Sequence, residues 1–418
     1  MKQKILFILQ RHPFFVFLIN PHGGKEEFSH IKPAPTLALT AKVNQLKAQG
    51  VDIIGFGAGE PDFDTPDFIK EACIKALKDG KTKYAPSAGL PELRQALAEK
   101  LLKENSIEYR PSEIVVTAGA KMALFLVMLA LLEEGDEVLL PSPYWVSYPE
   151  QILLCGAKVV EVPLREEEGF VLKAEMLKDY ITPRTKMLIL NSPSNPTGAV
   201  VPEEEQRKIA QLCLEKGIFL VSDECYEAFL YDGERFVSPA SFSKEVREIT
   251  FTINAFSKTF SMTGWRVGYV ACPEKYAKVI ADLNSQSISN ATTFAQYGAL
   301  EALKNPKAKE FLENMKRTFE RRRDLAYELL KEIPKVSVVK PKGAFYIFPN
   351  LKSYSEKLGS DLRLADYLIE KGRVAGVPGS AFGAEGYLRL SYCVSEDHIK
   401  EGIRRLREAL SLLCLHPT

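Results

Sequence analysis

The chain has 418 residues, of which 46% are apolar and 26% charged, and its net charge is +1. That length suits one large domain with a sizeable core plus a smaller domain. A charge so near zero gives no electrostatic case for nucleic acid or a membrane surface as partner.

Residues 1–27 read as an extension. Met1-Lys2-Gln3-Lys4 ahead of the apolar run 5–9 looks like a short signal peptide, but Arg11, His12 and Pro13 interrupt it. No small-residue cleavage site follows, and no run reaches the ~18 residues of a membrane span. An upstream start or disordered extension, a targeting segment and a membrane-surface anchor are the three readings these residues allow. Globular patterning begins near Phe28. Residues 28–75 are expected to form an N-terminal arm and part of a small domain, 76–305 a large domain, and 306–418 the rest of the small one.

From residue 110 the chain alternates strand-like and helix-like segments. Strands are expected at 114–117, 138–140, 158–162, 187–190, 218–222, 248–253 and 267–271. Helices are expected at 120–132 and at 203–215, where Ile209, Leu212 and Cys213 share one face. This alternation predicts an α/β domain with a mostly parallel sheet between helices. Near residue 300 long charged helices take over. The segment 309–332 carries Phe319-Glu320-Arg321-Arg322-Arg323-Asp324, read as a solvated face. Short strands at 336–340, 344–348 and 388–391 then suggest a second, α+β domain.

Seven cysteines, at 73, 155, 213, 225, 272, 393 and 414, are scattered without a CxxC pair. They fit a reducing cytoplasm better than a disulfide framework, and no metal site is expected.

Gly119, Asn191, Asp223 and Ser257-Lys258 all follow strands, where open α/β sheets bind ligands. Lys258 ends an apolar strand, so its ammonium is costly there and its amine is a candidate for covalent chemistry. Ser257 and Arg266, the latter eight positions beyond Lys258, both suit a phosphate. Gly119-Ala120-Lys121 opens a helix, whose N–H groups suit the same anion. A cofactor bearing a carbonyl and a phosphate needs this set, and pyridoxal phosphate (PLP) is one. Asp223 emerges from an apolar strand. Opposite a pyridine nitrogen it keeps that nitrogen protonated and makes the ring an electron sink; a helix N-cap is its competing role. Tyr226 and Asn195 can donate to the cofactor's phenolic oxygen, and Asn195-Pro196 also reads as a turn. Trp145 can stack on the ring. Arg389 lies opposite Leu388 and Leu390 on an alternating strand and can fork onto a substrate carboxylate; read alone, an arginine there suits the surface better.

Six motifs then carry a family resemblance. They are Gly57-Ala58-Gly59-Glu60-Pro61-Asp62-Phe63, Lys83-Tyr84-Ala85-Pro86, Asn195-Pro196-Thr197-Gly198, Asp223-Glu224-Cys225-Tyr226, Ser257-Lys258 and Gly264-Trp265-Arg266. In this order, over about residues 30–415, they resemble the class I aminotransferases of PLP fold type I. The resemblance implies a large domain with a mostly parallel seven-stranded sheet between helices, a smaller α+β domain, and a homodimer with shared active sites. It implies that Lys258 bonds the cofactor and shuttles the proton, that Asp223 faces the ring nitrogen, and that Tyr226 and Asn195 serve the phenolic oxygen. Tyr84 matches the tyrosine that reaches the neighbouring subunit's phosphate. Gly59, Trp145, Asn195 and Arg389 match the amino-acid-binding positions. One departure is Ala255, where some relatives carry another phosphate-binding serine.

Within the family, Pro143-Tyr144-Trp145-Val146-Ser147-Tyr148-Pro149-Glu150, Lys81-Thr82-Lys83-Tyr84 and Ser285-Gln286-Ser287 resemble the bacterial aspartate aminotransferase subgroup. There a lysine after the phosphate-loop glycine binds the distal carboxylate; Lys121 matches it, and Thr36 matches its companion threonine. That pair is also associated with prephenate as amino acceptor. The implied reaction is transamination between L-aspartate and 2-oxoglutarate, giving oxaloacetate and L-glutamate, with prephenate to arogenate as a second activity. An aromatic-amino-acid aminotransferase and a β-lyase are the alternatives. A regulator on this scaffold needs a DNA-binding module, for which the ~28 N-terminal residues are too few.

Overall fold

Short apolar runs bounded by Gly, Pro and Asp become strands. The computed structural model describes residues 35–415; the expectations for residues 1–27 lie outside them. The strands up to residue 271 are β1 (Ile54–Gly55), β2 (Ile114–Thr117), β3 (Glu137–Ser142), β4 (Lys158–Pro163), β5 (Thr185–Asn191), β6 (Phe219–Asp223), β7 (Thr250–Ala255) and β8 (Gly268–Ala271). All but β1 join one seven-stranded sheet in the order β2-β8-β7-β6-β5-β3-β4. The pairs from β7 to β4 are parallel, whereas β8 is antiparallel to both β2 and β7.

The central strands β5 and β6 carry apolar runs, at 187–190 and 219–221, because both faces are covered. Ile189 and Val221 point to the helix Ala120–Leu131, packing with Val127 and Met128. Leu188 and Leu220, one residue away and so on the opposite face, pack with Ile209 and Cys213 of the helix Glu203–Lys216.

The later strands are β9 (Tyr346–Ile347), β10 (Val374–Ala375), β11 (Val377–Pro378) and β12 (Leu388–Ser391). Strand β12 lies between β11 and β9, antiparallel to both, and β1 pairs parallel with β10. The helices Lys307–Lys331 and Glu396–Leu415 bury Phe319, Leu330, Ile403 and Leu406 in the core beside these strands.

Three local expectations are corrected. The strand expected at 248–253 begins at Thr250, because Ser243 Oγ accepts the Val246 N–H and caps a helix over Lys244–Ile249. Residues 336–340 form no strand; Ser337 makes only an isolated bridge to Asn350. The charge run at 319–324 is not a solvated face. Arg322 forks onto Asp62 at 2.7 and 2.9 Å. Arg323 is fully buried and forks onto Asp232 at 2.7 and 2.9 Å, with its guanidinium over the Tyr231 ring. A planar guanidinium can enter the interior when bidentate carboxylates and an aromatic face replace its water.

Gly298 is a further packing constraint. A Cβ there would lie 2.7 Å from Trp265 Cζ3 and 3.4 Å from Ile69 Cγ2. Gly298→Val is therefore expected to cost about 1–3 kcal/mol by overpacking, read as a lowered midpoint in urea or thermal unfolding.

Candidate active site

The sheet register brings the site together. Gly268 pairs with Thr117 on one side and with Ala255 on the other. Because β8 runs against its neighbours, its beginning lies at their ends. Arg266, two residues earlier and at φ 53, thus arrives over the start of the helix Ala120–Leu131. Gly119, at φ +81, makes room for it: a Cβ there would lie 2.5 Å from Arg266 Nη2. A Cβ on Gly268 would lie 2.6 Å from Ala120 N. Arg266 is tied down by the carbonyls of Thr263 (2.9 Å) and Ala118 (3.3 Å). The first N–H groups of the helix have no intrahelical partner. With Arg266 and Ser257 they make an anion cradle.

Asp223 ends β6 and is buried. No helix follows it, so the N-cap reading fails; its Oδ1 instead accepts the Cys225 N–H at 3.2 Å. Its Oδ2 accepts Tyr148 Oη at 2.6 Å. Burial pushes the Asp223 carboxyl up, against these two donors. Lys258 donates to the Gly59 carbonyl, and burial lowers its pKa.

Arg389 is only 1% exposed. It donates to Asn195 Oδ1 at 2.9 Å and to the Gly57 carbonyl at 2.8 Å, while its buried Nε has no partner. Among the described residues no carboxylate pairs with it. Since arginine only donates, Asn195 must present its oxygen to it, leaving the amide NH2 as the free donor. The Asn195 N–H donates to Asn191 Oδ1 at 2.9 Å, which holds the turn.

One cavity of about 310 Å³ is lined by Thr36, Gly59, Ala120, Lys121, Trp145, Asn195, Asp223, Tyr226, Ser257, Lys258, Arg266 and Arg389, with Gly119 behind Arg266. Lys121 Nζ lies 5.0 Å from the Trp145 ring centroid. Burial lowers its pKa, and the charge of Arg266 adds to the effect. Tyr84 is the exception, lying outside this cavity at 89% exposure.

Among the lining residues not singled out from the sequence, Tyr148 and Tyr346 touch predicted site residues directly. Tyr148 follows Trp145 by three positions, and that spacing beside an aromatic was its one local signal. Tyr346 reaches Tyr226 Oη at 2.7 Å from a strand 120 residues away, and nothing local marks it.

Residues 51–406 match the family model described as aminotransferase class I and II. The chain belongs to that family, and it is an aminotransferase. It is 69% identical over 388 residues to a probable aspartate/prephenate aminotransferase of Aquifex aeolicus, covering 93% of this chain and 98% of that protein. An aspartate aminotransferase of Bacillus subtilis is 48% identical over 381 residues, 91% of this chain and 96% of that one. The solved structure of the Thermus thermophilus aspartate aminotransferase with maleate superimposes with a TM-score of 0.89 at 46% identity, covering 93% of this chain and 99% of that chain. Among the described residues no helix is long and apolar enough to cross a membrane.

Glu224, next to Asp223, supplies a pH test. Its Oε1 accepts Ser222 Oγ and Ser238 Oγ, and its buried Oε2 has no partner. Burial, with Glu227 nearby, pushes its carboxyl up to about 8. The folded state then holds a proton that the unfolded chain releases near the ordinary glutamate value of 4.5. This contribution is complete below that value and is lost as pH rises through about 8. Glu224→Gln keeps a neutral group in place, so its stability relative to the parent should rise by roughly 1–3 kcal/mol between acid pH and pH 9. Urea unfolding across that range reads it.

Proposed function

We propose that this chain transaminates L-aspartate with 2-oxoglutarate using PLP, and that prephenate is a second amino acceptor. The observation that carries the reading is Arg389: a buried guanidinium without an acidic partner among the described residues, in one cavity with Lys258 and the Gly119–Arg266 cradle. A substrate carboxylate matches that guanidinium, and a phosphate matches the cradle. The donor set fits PLP. Ser257, Arg266 and the N–H groups of Ala120 and Lys121 would hold its phosphate, Asp223 its ring nitrogen, Tyr226 and the Asn195 amide its phenolic oxygen, and Trp145 a face of the ring.

When bound, PLP supplies the electron sink that acidifies the substrate Cα–H and carries the amino group between the two acids. The remaining work falls to the chain. Arg389 and Gly59 orient the substrate through its α-carboxylate. A cationic ring nitrogen gives Asp223 the counter-charge that its burial lacks, and Tyr148 holds the carboxylate in place. Desolvation keeps Lys258 closer to its free-amine form, so Nζ can take the Cα proton and return it as general base and acid. Lys121, which lines the cavity together with Thr36, offers a cation to the distal carboxylate. Dicarboxylate selectivity is further supported by the Thermus relative, whose structure was solved with maleate, and the prephenate reading by the name of the Aquifex relative.

The deciding experiment is an absorbance titration of the purified protein. A visible cofactor band should be lost on adding aspartate and restored by 2-oxoglutarate; no band, or one indifferent to aspartate, defeats the reading. Lys258→Ala should abolish turnover. Lys121→Met should raise KM for aspartate and prephenate by roughly tenfold or more, the loss of one charge-assisted hydrogen bond; unchanged KM values would sink the specificity assignment.

We also infer a homodimer whose sites are shared through Tyr84. Its 89% exposure in a single chain supports a role in a second copy's cradle. Mixing Lys258→Ala and Tyr84→Ala subunits should yield hybrids with one intact site. Activity recovered above both parents is expected, and none is expected if each chain works alone.

A further inference from the structure

Tyr346 is fully buried on β9, with its ring 4.4 Å beneath the Arg389 guanidinium. Its hydroxyl lies 2.7 Å from that of Tyr226, a bond in which either oxygen can be the donor. The surroundings choose between the two directions. Arg389, against the Tyr346 ring, offers no acceptor. Both tyrosines line the cavity, but Tyr226 has a single hydroxyl proton, so if that proton is to reach a cofactor oxygen the 2.7 Å contact must be donated by Tyr346. If Tyr346 donates to Tyr226, the Tyr226 proton is released into the cavity that Tyr226 lines. Burial pushes the Tyr346 phenol up to about 12, and the Arg389 charge over its ring opposes that rise, which favours it as a donor. Gly59 leaves the space: a Cβ there would come within 3.1 Å of Tyr346 Oη.

We propose that Tyr346 is a positioning residue that donates to Tyr226 and so directs and strengthens the Tyr226 hydrogen bond to the phenolic oxygen of the bound cofactor. The inference rests on the PLP reading above. Hydrogen bonds in series polarise one another, so a donor behind Tyr226 makes Tyr226 a stronger donor. A stronger donor at the phenolic oxygen lowers the proton affinity of the bound cofactor.

The test is a spectrophotometric pH titration of the cofactor band in wild-type holoenzyme, Tyr346→Phe, Tyr226→Phe and the double variant. Removing the Tyr346 hydroxyl should raise the midpoint by about half a pH unit, roughly a threefold change in proton affinity. Tyr226→Phe should raise it further, and the double variant should match Tyr226→Phe, because Tyr346 acts only through Tyr226. A Tyr346→Phe midpoint equal to that of wild type overturns the inference. So does an undiminished Tyr346→Phe shift in the Tyr226→Phe background. A wild-type protein with no titrating band overturns the PLP reading and takes this inference with it.

Discussion

The site depends on one pairing, the antiparallel insertion of β8 between β2 and β7. Gly268 is hydrogen-bonded into both neighbours, opposite Thr117 and Ala255. A parallel strand there would begin at the far edge of the sheet and could not bring Arg266 to the ends of β2 and β7. The reversal puts Arg266 on Gly119, and the lack of a side chain at Gly119 and Gly268 lets guanidinium, strand and helix start approach within contact distance. The anion cradle is thus a product of strand direction as much as of residue choice.

The same register sets the spacing of the chemistry. Asn191 pairs with Asp223 across β5 and β6, and Asp223 with Ile253 across β6 and β7. Ser257 and Lys258 follow β7 in the turn Phe256–Thr259. Asp223 and Lys258 therefore sit on adjacent strand ends. Adjacent strands lie about 4.8 Å apart, so a planar ring can meet a carboxylate at one edge and an amine at another.

Local patterning made much of this legible. Five sheet strands stand out as apolar runs because buried parallel strands tolerate little else, and Gly119, Asp223 and Lys258 stand out as polar or small residues ending such runs. What stayed hidden depends on distant partners. Arg321, Arg322 and Arg323 are equivalent in sequence, yet Arg322 and Arg323 turn inward because Asp62 and Asp232 meet them from 260 and 91 residues away. The strand assigned from residue 248 failed for a local reason, the Ser243 cap, which claims Glu248 and Ile249 for a helix. Read alone, Arg389 suits a surface position better than a buried one. Distant contacts bury it, with the Gly57 carbonyl, the Tyr346 ring and Asn195, and the last, 194 residues away, settles which end of that amide faces the cavity.

Four titratable groups lining the cavity share one feature: burial disfavours the ionised form of each. Lys258, Lys121 and Arg389 are pushed down, and Asp223 is pushed up. Desolvated groups of this kind gain most from a ligand of opposite charge, because the cost of removing their water is already met by the fold. On the proposed reading, a cationic ring nitrogen would supply a counter-charge to Asp223 and a dicarboxylic acid one to Arg389 and one to Lys121, while Lys258 would work as the free amine. A monocarboxylic acid would satisfy Arg389 and leave Lys121 without one. On that reading, discrimination between acids by charge would fall to Lys121, and the chemistry common to all of them to Lys258 and Asp223. Selectivity could then change at Lys121 without disturbing the strand ends that carry Asp223 and Lys258.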